Sequence, residues 1–371
     1  MNTAAMEATA IELAAPGKGI LAVDESGPTI ETRFKSVGVA STPETRRDYR
    51  EMLLGTQGLG AFISGVILYD ETLRQRTSED VSFVELLARQ RIFPGIKVDR
   101  GAKALAGFPG EKITEGLDGL RDRLAEYAAL GARFTKWRAV LTIGSEIPSR
   151  TCVEANVEAL ARFAALSQEA GLVPIVEPEV LMDGPHTLER HYEVTAAVLS
   201  ALFRELFAHR VHLEALLLKV NMVLAGTLCP WQAGVHEVAD ATWRCLRRTV
   251  PTAVPGIVFL SGGQTDIRAT EHLNALNRID QRPWQLSFSF GRALQAPALK
   301  VWAGRKENIA EAQAALLKRA RCNSAARFGR YSIEMEQQPA DGLRALSRAF
   351  DSRPMVSEIA RAHPQSSKTE P

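Results

Sequence analysis

Residues 215–220 read Ala-Leu-Leu-Leu-Lys-Val, four apolar side chains leading straight into a lysine. A strand with one wet face alternates apolar and polar residues. A near-continuous apolar run instead fits a parallel sheet covered by helices. Lys219 then stands where burial penalises its charge. Seven further runs share this character: residues 20–24 (ILAVD), 65–69 (GVILY), 95–99 (GIKVD), 134–138 (FTKWR), 173–177 (VPIVE), 256–261 (GIVFLS) and 285–290 (QLSFSF). Their ends are roughly 30 to 45 residues apart, room for a helix and two loops each time.

The segments between them have helical spacing. Thr42 is a good N-cap for residues 43–54, and Gly131 a good stop for 117–130. Residues 152–170, 187–208, 236–249 and 308–326 are amphipathic in the same way. The pattern predicts an α/β fold, a closed (β/α)₈ TIM barrel with additional N-terminal and C-terminal helices. It forms one domain over residues 1–335, and residues 336–371 form a C-terminal tail. An open doubly wound sheet is the alternative, but no G-x-G-x-x-G follows residues 20–24.

Composition narrows the function. Forty-five basic and 43 acidic residues leave a net charge of +2, so no nucleic-acid footprint is expected. No apolar run approaches the ~20 residues of a membrane span. Residues 1–13 carry Glu7 and Glu12 without a basic leader segment and read as a surface helix, so the expected location is the cytoplasm. Cys152, Cys229, Cys245 and Cys322 are scattered and read as reduced thiols. His186, His191, His209 and His212 read as surface residues, and neither a metal nor a cofactor is expected.

Polar residues gather at the C-terminal ends of the proposed strands, the face on which barrel active sites form. Asp24 ends the first run, Lys97 lies on the third, and Lys136 and Arg138 lie on the fourth. Glu177 ends the fifth, with Glu179 two residues on, and Pro178 between them argues against a continuing strand. Neighbouring cations would add to burial in favouring a neutral Lys219 amine, a nucleophile for carbonyls. Glu177 is a natural proton shuttle for it. Asp24 could take a hydroxyl proton or cap a helix. Ser261-Gly262-Gly263 and Ser289-Phe290-Gly291-Arg292 are two turns suited to a phosphate, with Arg292 able to bind it bidentately. Ser26, Arg33 and Lys97 form a second candidate anion site, and two such sites suggest a bisphosphate.

At these residues the sequence resembles the class I fructose-bisphosphate aldolases over about residues 11–335. The likeness is carried in order by APGKGILAVDES (15–26), GIKVDRG (95–101), KWRAVL (136–141), VPIVEPE (173–179), LLLKVNM (216–222), GIVFLSGGQ (256–264) and SFSFGRALQ (287–295). The resemblance implies that Lys219 forms a Schiff base, with Glu177 as its acid/base and Glu179 as a neighbour. It implies that Asp24 is the base for the C4 hydroxyl, and that Lys136 and Arg138 position the substrate. Ser261, Gly262, Gly263, Ser289, Gly291 and Arg292 would hold one phosphate. Ser26, Thr29 and Lys97 would hold the other, with Arg33 close by. It further implies glycolytic cleavage of fructose 1,6-bisphosphate by a metal-independent lyase, and a homotetramer.

Three departures stand out. Thr29 replaces a serine, and Val220 replaces the proline usual after the Schiff-base lysine. The sequence ends at Pro371, where animal members end in a tyrosine, and its last tyrosine is Tyr331. The alternatives are a Schiff-base aldolase for another ketose phosphate and a non-catalytic binding scaffold.

Overall fold

The computed structural model describes residues 3–338. Eight parallel strands form a closed barrel: β1 (Gly19–Val23), β2 (Ile63–Leu68), β3 (Phe93–Lys97), β4 (Phe134–Leu141), β5 (Val173–Val180), β6 (Leu217–Val220), β7 (Gly256–Phe259) and β8 (Gln285–Phe290). Neighbours around the ring follow chain order, and β8 closes on β1 through Ile20 and Ser289. This is the (β/α)₈ barrel that the eight runs predict.

The period-two geometry of a strand sorts each run into an inner and an outer set. On β4, Thr135 and Trp137 face the helix Arg150–Glu169. Thr135 Oγ1 lies 2.9 Å from Ser167 Oγ, and the Trp137 and Phe163 rings are 5.7 Å apart. Phe134, Lys136 and Arg138 belong to the other face. Phe134 packs at the bottom of the barrel against Ile20, Ile67, Ile175, Leu217 and Val258. Its ring needs Gly95 beside it, since a Cβ there would stand 2.3 Å from the ring. The lower interior is therefore apolar and dry, while charge begins one residue pair higher.

The helix Thr3–Leu13 plugs the bottom. Met6, Ala10 and Leu13 are buried in the same apolar cluster. Where the sequence predicts a surface helix, one face is in fact core. Burying Met6 and Leu13 stabilises by roughly 2 kcal/mol each.

The structure extends or shifts other boundaries. β5 runs through Pro178 to Val180, because β5 pairs with β6 only at Ile175 and Val176. Its later half is paired to β4 alone, a setting in which a missing N–H is tolerated. β6 starts at Leu217, after a 3₁₀ turn over Leu213–Ala215.

His186 and His191, expected at the surface, are buried and stacked at 5.2 Å. The loop after β6 folds over them. Gly226 N–H donates to the His186 carbonyl at 2.8 Å, and Leu224 N–H donates to His191 Nδ1 at 3.3 Å. Polar flanking residues such as Asp183 and Arg190 hide this burial in the sequence. His209 and His212 are half-exposed. Most of the tail expected over residues 336–371, from 339 onward, lies outside the described residues.

Candidate active site

β4, β5 and β6 each place an inward side chain at the level where the apolar plug ends. These are Lys136, Glu177 and Lys219, each no more than 4% exposed. Lys219 Nζ lies 3.1 Å from Glu177 Oε1, and Lys136 Nζ lies 3.2 Å from Glu177 Oε2. Lys136 also donates to Asp24 Oδ2 at 2.6 Å, just past the end of β1. Four charges from four strands thus form one chain, Asp24–Lys136–Glu177–Lys219.

Above it the pairs continue outward. Arg138 Nε donates to Glu179 Oε2 at 2.5 Å. Lys97 Nζ lies 2.6 Å from Asp99 Oδ1, and the other Asp99 oxygen accepts from the Arg138 N–H at 3.1 Å. All these groups line one cavity of about 410 Å³, together with Ser26, Thr29, Arg33, Ser261, Gly262, Gly263, Ser289, Gly291 and Arg292.

The electrostatics favour ionised carboxylates. Burial pushes Asp24 up, but Lys136, Lys219 and Lys97 outweigh it and hold the carboxyl well below the usual range. Burial likewise opposes the charge of Glu177. Lys136, Lys219 and Arg138 prevail, and its titration is lowered. Lys136 is raised, because the attraction of Asp24 and Glu177 exceeds its desolvation.

Six cations (Arg33, Lys97, Lys136, Arg138, Lys219, Arg292) and five carboxylates (Asp24, Glu25, Asp99, Glu177, Glu179) line the cavity. Arg50 stands behind Glu25 at 2.6 Å and adds a seventh cation. The surplus is positive and suits an anionic ligand. Arg292 has no carboxylate partner among the described residues and donates only to the Gln264 carbonyl, at 3.2 Å. Ser289 Oγ is buried without a hydrogen-bond partner in the same wall.

The model of the class I fructose-bisphosphate aldolase family matches residues 5–347. The chain belongs to the class I fructose-bisphosphate aldolases. It is 55% identical over 332 residues to a Xanthomonas axonopodis pv. citri protein named "Probable fructose-bisphosphate aldolase class 1", covering 89% of this chain and 99% of that one. It is 52% identical over 325 residues to the Arabidopsis thaliana protein named "Fructose-bisphosphate aldolase 5, cytosolic", with 87% and 90% covered. Among solved structures it resembles fructose-bisphosphate aldolase from Plasmodium falciparum, in complex with TRAP and a small-molecule inhibitor. That match has a TM-score of 0.88 and 48% identity over 89% of this chain and 95% of that one.

Each aldolase residue singled out in the sequence lines the one cavity. The charge paired with Lys219 is the Glu177 carboxylate. Arg33, expected with Ser26 and Lys97, lines the cavity with them and also approaches the neighbouring turn after β8. Its Nη2 is 3.8 Å from where a Cβ on Gly291 would stand.

The arginine is held there by Glu25, which sequence reasoning passed over. Glu25 pairs with both Arg33 and Arg50 and accepts from Gln295 Nε2 at 2.7 Å. An acidic residue directly after Asp24 is a visible signal. Its partners lie 8, 25 and 270 residues away and are not visible.

A larger groove of about 780 Å³ runs between the helices Arg150–Glu169 and Leu188–Ala208. Its charges pair with one another, Arg150 with Glu154 and Arg190 with Glu193, and it presents no chemistry of this kind.

Proposed function

We propose that this site carries out the reaction of its family, reversible cleavage of fructose 1,6-bisphosphate to dihydroxyacetone phosphate and glyceraldehyde 3-phosphate, with Lys219 as the Schiff-base lysine. One observation carries the reading. A nearly inaccessible amine contacts a carboxylate at 3.1 Å, at the floor of a cavity that both glycine turns also line.

The steps follow from the geometry. The Lys219 ammonium passes a proton to Glu177, and the free amine attacks the C2 ketone of the open-chain sugar. Glu177 returns the proton to the carbinolamine hydroxyl. Water leaves and an iminium forms. The iminium draws electrons from the C3–C4 bond while Asp24 takes the C4 hydroxyl proton. The aldehyde phosphate departs, and the enamine is protonated at C3 and hydrolysed.

Because Lys136 holds Asp24 ionised, its basicity is modest, and the proton moves as the bond breaks rather than before. Lys136 and Arg138 orient the sugar. Ser261, Gly262, Gly263, Ser289, Gly291 and Arg292 bind one phosphate, with the unpartnered Ser289 hydroxyl and the unpaired Arg292 as its donors. Ser26, Thr29 and Lys97 bind the other. Arg33, held toward Gly291, serves the first phosphate more directly than the second. By likeness to the family, the enzyme works as a cytoplasmic homotetramer. Light scattering on the purified protein checks the assembly.

The test of the chemistry is borohydride reduction in the presence of dihydroxyacetone phosphate, followed by peptide mapping. Label on Lys219 is expected. Label on Lys136 or elsewhere overturns the assignment. Specificity constants for fructose 1,6-bisphosphate and fructose 1-phosphate then show whether the second phosphate contributes.

A further inference from the structure

Gln264 closes the turn that begins at Ser261. Its backbone N–H donates to the Ser261 carbonyl at 3.0 Å, and its side-chain Nε2 donates to the same carbonyl at 3.1 Å. Its own carbonyl accepts from Arg292 at 3.2 Å. The side-chain oxygen is left, and His272 Nδ1 lies 2.6 Å from it.

These contacts fix the direction of each hydrogen bond. A flipped Gln264 amide would set its oxygen against the Ser261 carbonyl, acceptor to acceptor. Oε1 therefore faces His272, and Nδ1 must carry the proton that joins them. Nε2 of the ring is buried with no partner among the described residues, as suits a bare nitrogen. His272 is 2% exposed, sits in the helix Asp266–Asn277 and does not line the active-site cavity.

We infer that His272 is a positioning residue for the phosphate turn, acting through Gln264 to hold the Ser261–Gly262–Gly263 backbone and the Arg292 guanidinium in register. The inference rests on the aldolase reading, in which that turn and Arg292 bind one phosphate. Gly262 and Gly263 have φ of +49° and +88°, a conformation that lacks helical or sheet partners of its own and depends on such ties. Without the His272 donor, the Gln264 amide is free to turn, and both the doubly accepted Ser261 carbonyl and the Arg292 anchor loosen together. The backbone hydrogen bond of Gln264 survives, so the turn is blurred rather than lost.

The test compares His272→Leu, which removes the donor, with His272→Asn, whose Nδ2 can stand near the position of Nδ1. In His272→Leu the KM for fructose 1,6-bisphosphate should rise about tenfold, the share of one buried hydrogen bond in a charged site. Competitive inhibition by inorganic phosphate should weaken by the same factor, with kcat within about twofold. His272→Asn should recover most of both. A role in folding alone would lower the Tm and the active fraction without moving the phosphate inhibition constant, and that result overturns the inference.

Should the leucine variant fail to fold, nitrogen-15 spectra of the wild-type imidazoles decide. An Nδ1–H tautomer at His272 whose signal moves on adding inorganic phosphate is expected. An Nε2–H tautomer, or no movement, overturns the inference. Borohydride trapping of wild-type enzyme runs as the control. Loss of label from Lys219 removes the aldolase reading itself. Normal label with an unaffected His272→Leu removes only the role of His272.

Discussion

Replacing Asp24 by asparagine separates the two halves of the reaction, because Asp24 is paired with Lys136 and Lys219 with Glu177. The substitution deletes a carboxylate 2.6 Å from Lys136 Nζ. At an effective dielectric constant of about 20, that contact corresponds to roughly 6 kcal/mol of gross attraction. Lys136 keeps Glu177 at 3.2 Å, and the asparagine carbonyl can still accept its proton. The cost to stability should therefore fall below the ~3–5 kcal/mol typical when a buried ion loses its sole partner.

The catalytic effect should be larger. A positioned general base contributes roughly 10²–10⁴ in rate, about 3–5 kcal/mol of barrier. Cleavage of fructose 1,6-bisphosphate in a coupled assay should fall by about that factor. Borohydride trapping of dihydroxyacetone phosphate on Lys219, which needs Glu177 but not Asp24, should stay within about threefold. The tertiary fold should be intact by thermal denaturation. A parallel loss of trapping and cleavage, or a cleavage loss under about tenfold, would refute the division of labour.

Other outcomes are open to direct measurement. An ordinary histidine protonates near ~6.5, whereas His191 and His272 do so at about 4, chiefly through burial and secondarily through His186 and Arg268 respectively. Between those values only the unfolded chain takes up the protons. Stability should be full above about pH 6.5 and fall toward pH 4, by roughly 3 kcal/mol per imidazole. Denaturant titrations at several pH values that show no slope in this window would contradict it.

Truncation after Tyr331 removes Glu336, which pairs with the buried Arg319 and accepts from the Tyr331 hydroxyl at 2.9 Å. It should cost less than the ~3–5 kcal/mol of a buried ion that loses its sole partner, because Arg319 keeps Asp266 at 3.7 Å and the Thr270 hydroxyl at 2.6 Å. Denaturant titration that finds no loss of stability would show that the Arg319–Glu336 pair carries no weight. EDTA should leave cleavage unaffected, since the protonated imine is the electrophile. Strong inhibition reversed by added metal would point to different chemistry.

The barrel is legible in the order of residues alone. Eight apolar runs at regular spacing have few ways to bury both faces, and ALLLKV could not be a half-wet strand. The sequence also named most of the side chains that line the cavity, though not Glu25, because strand ends are local features and a barrel gathers all its strand ends at one mouth. Tertiary structure alone decided who pairs with whom. That Lys219 meets Glu177, that Glu25 holds Arg33 toward Gly291, and that His272 reaches Gln264 depend on how side chains from distant strands and helices interlock. So does the burial of His186 and His191 beneath the loop that follows β6. Periodicity reports which way a side chain points. It carries no term for the partner, which the chain meets only once the barrel has closed.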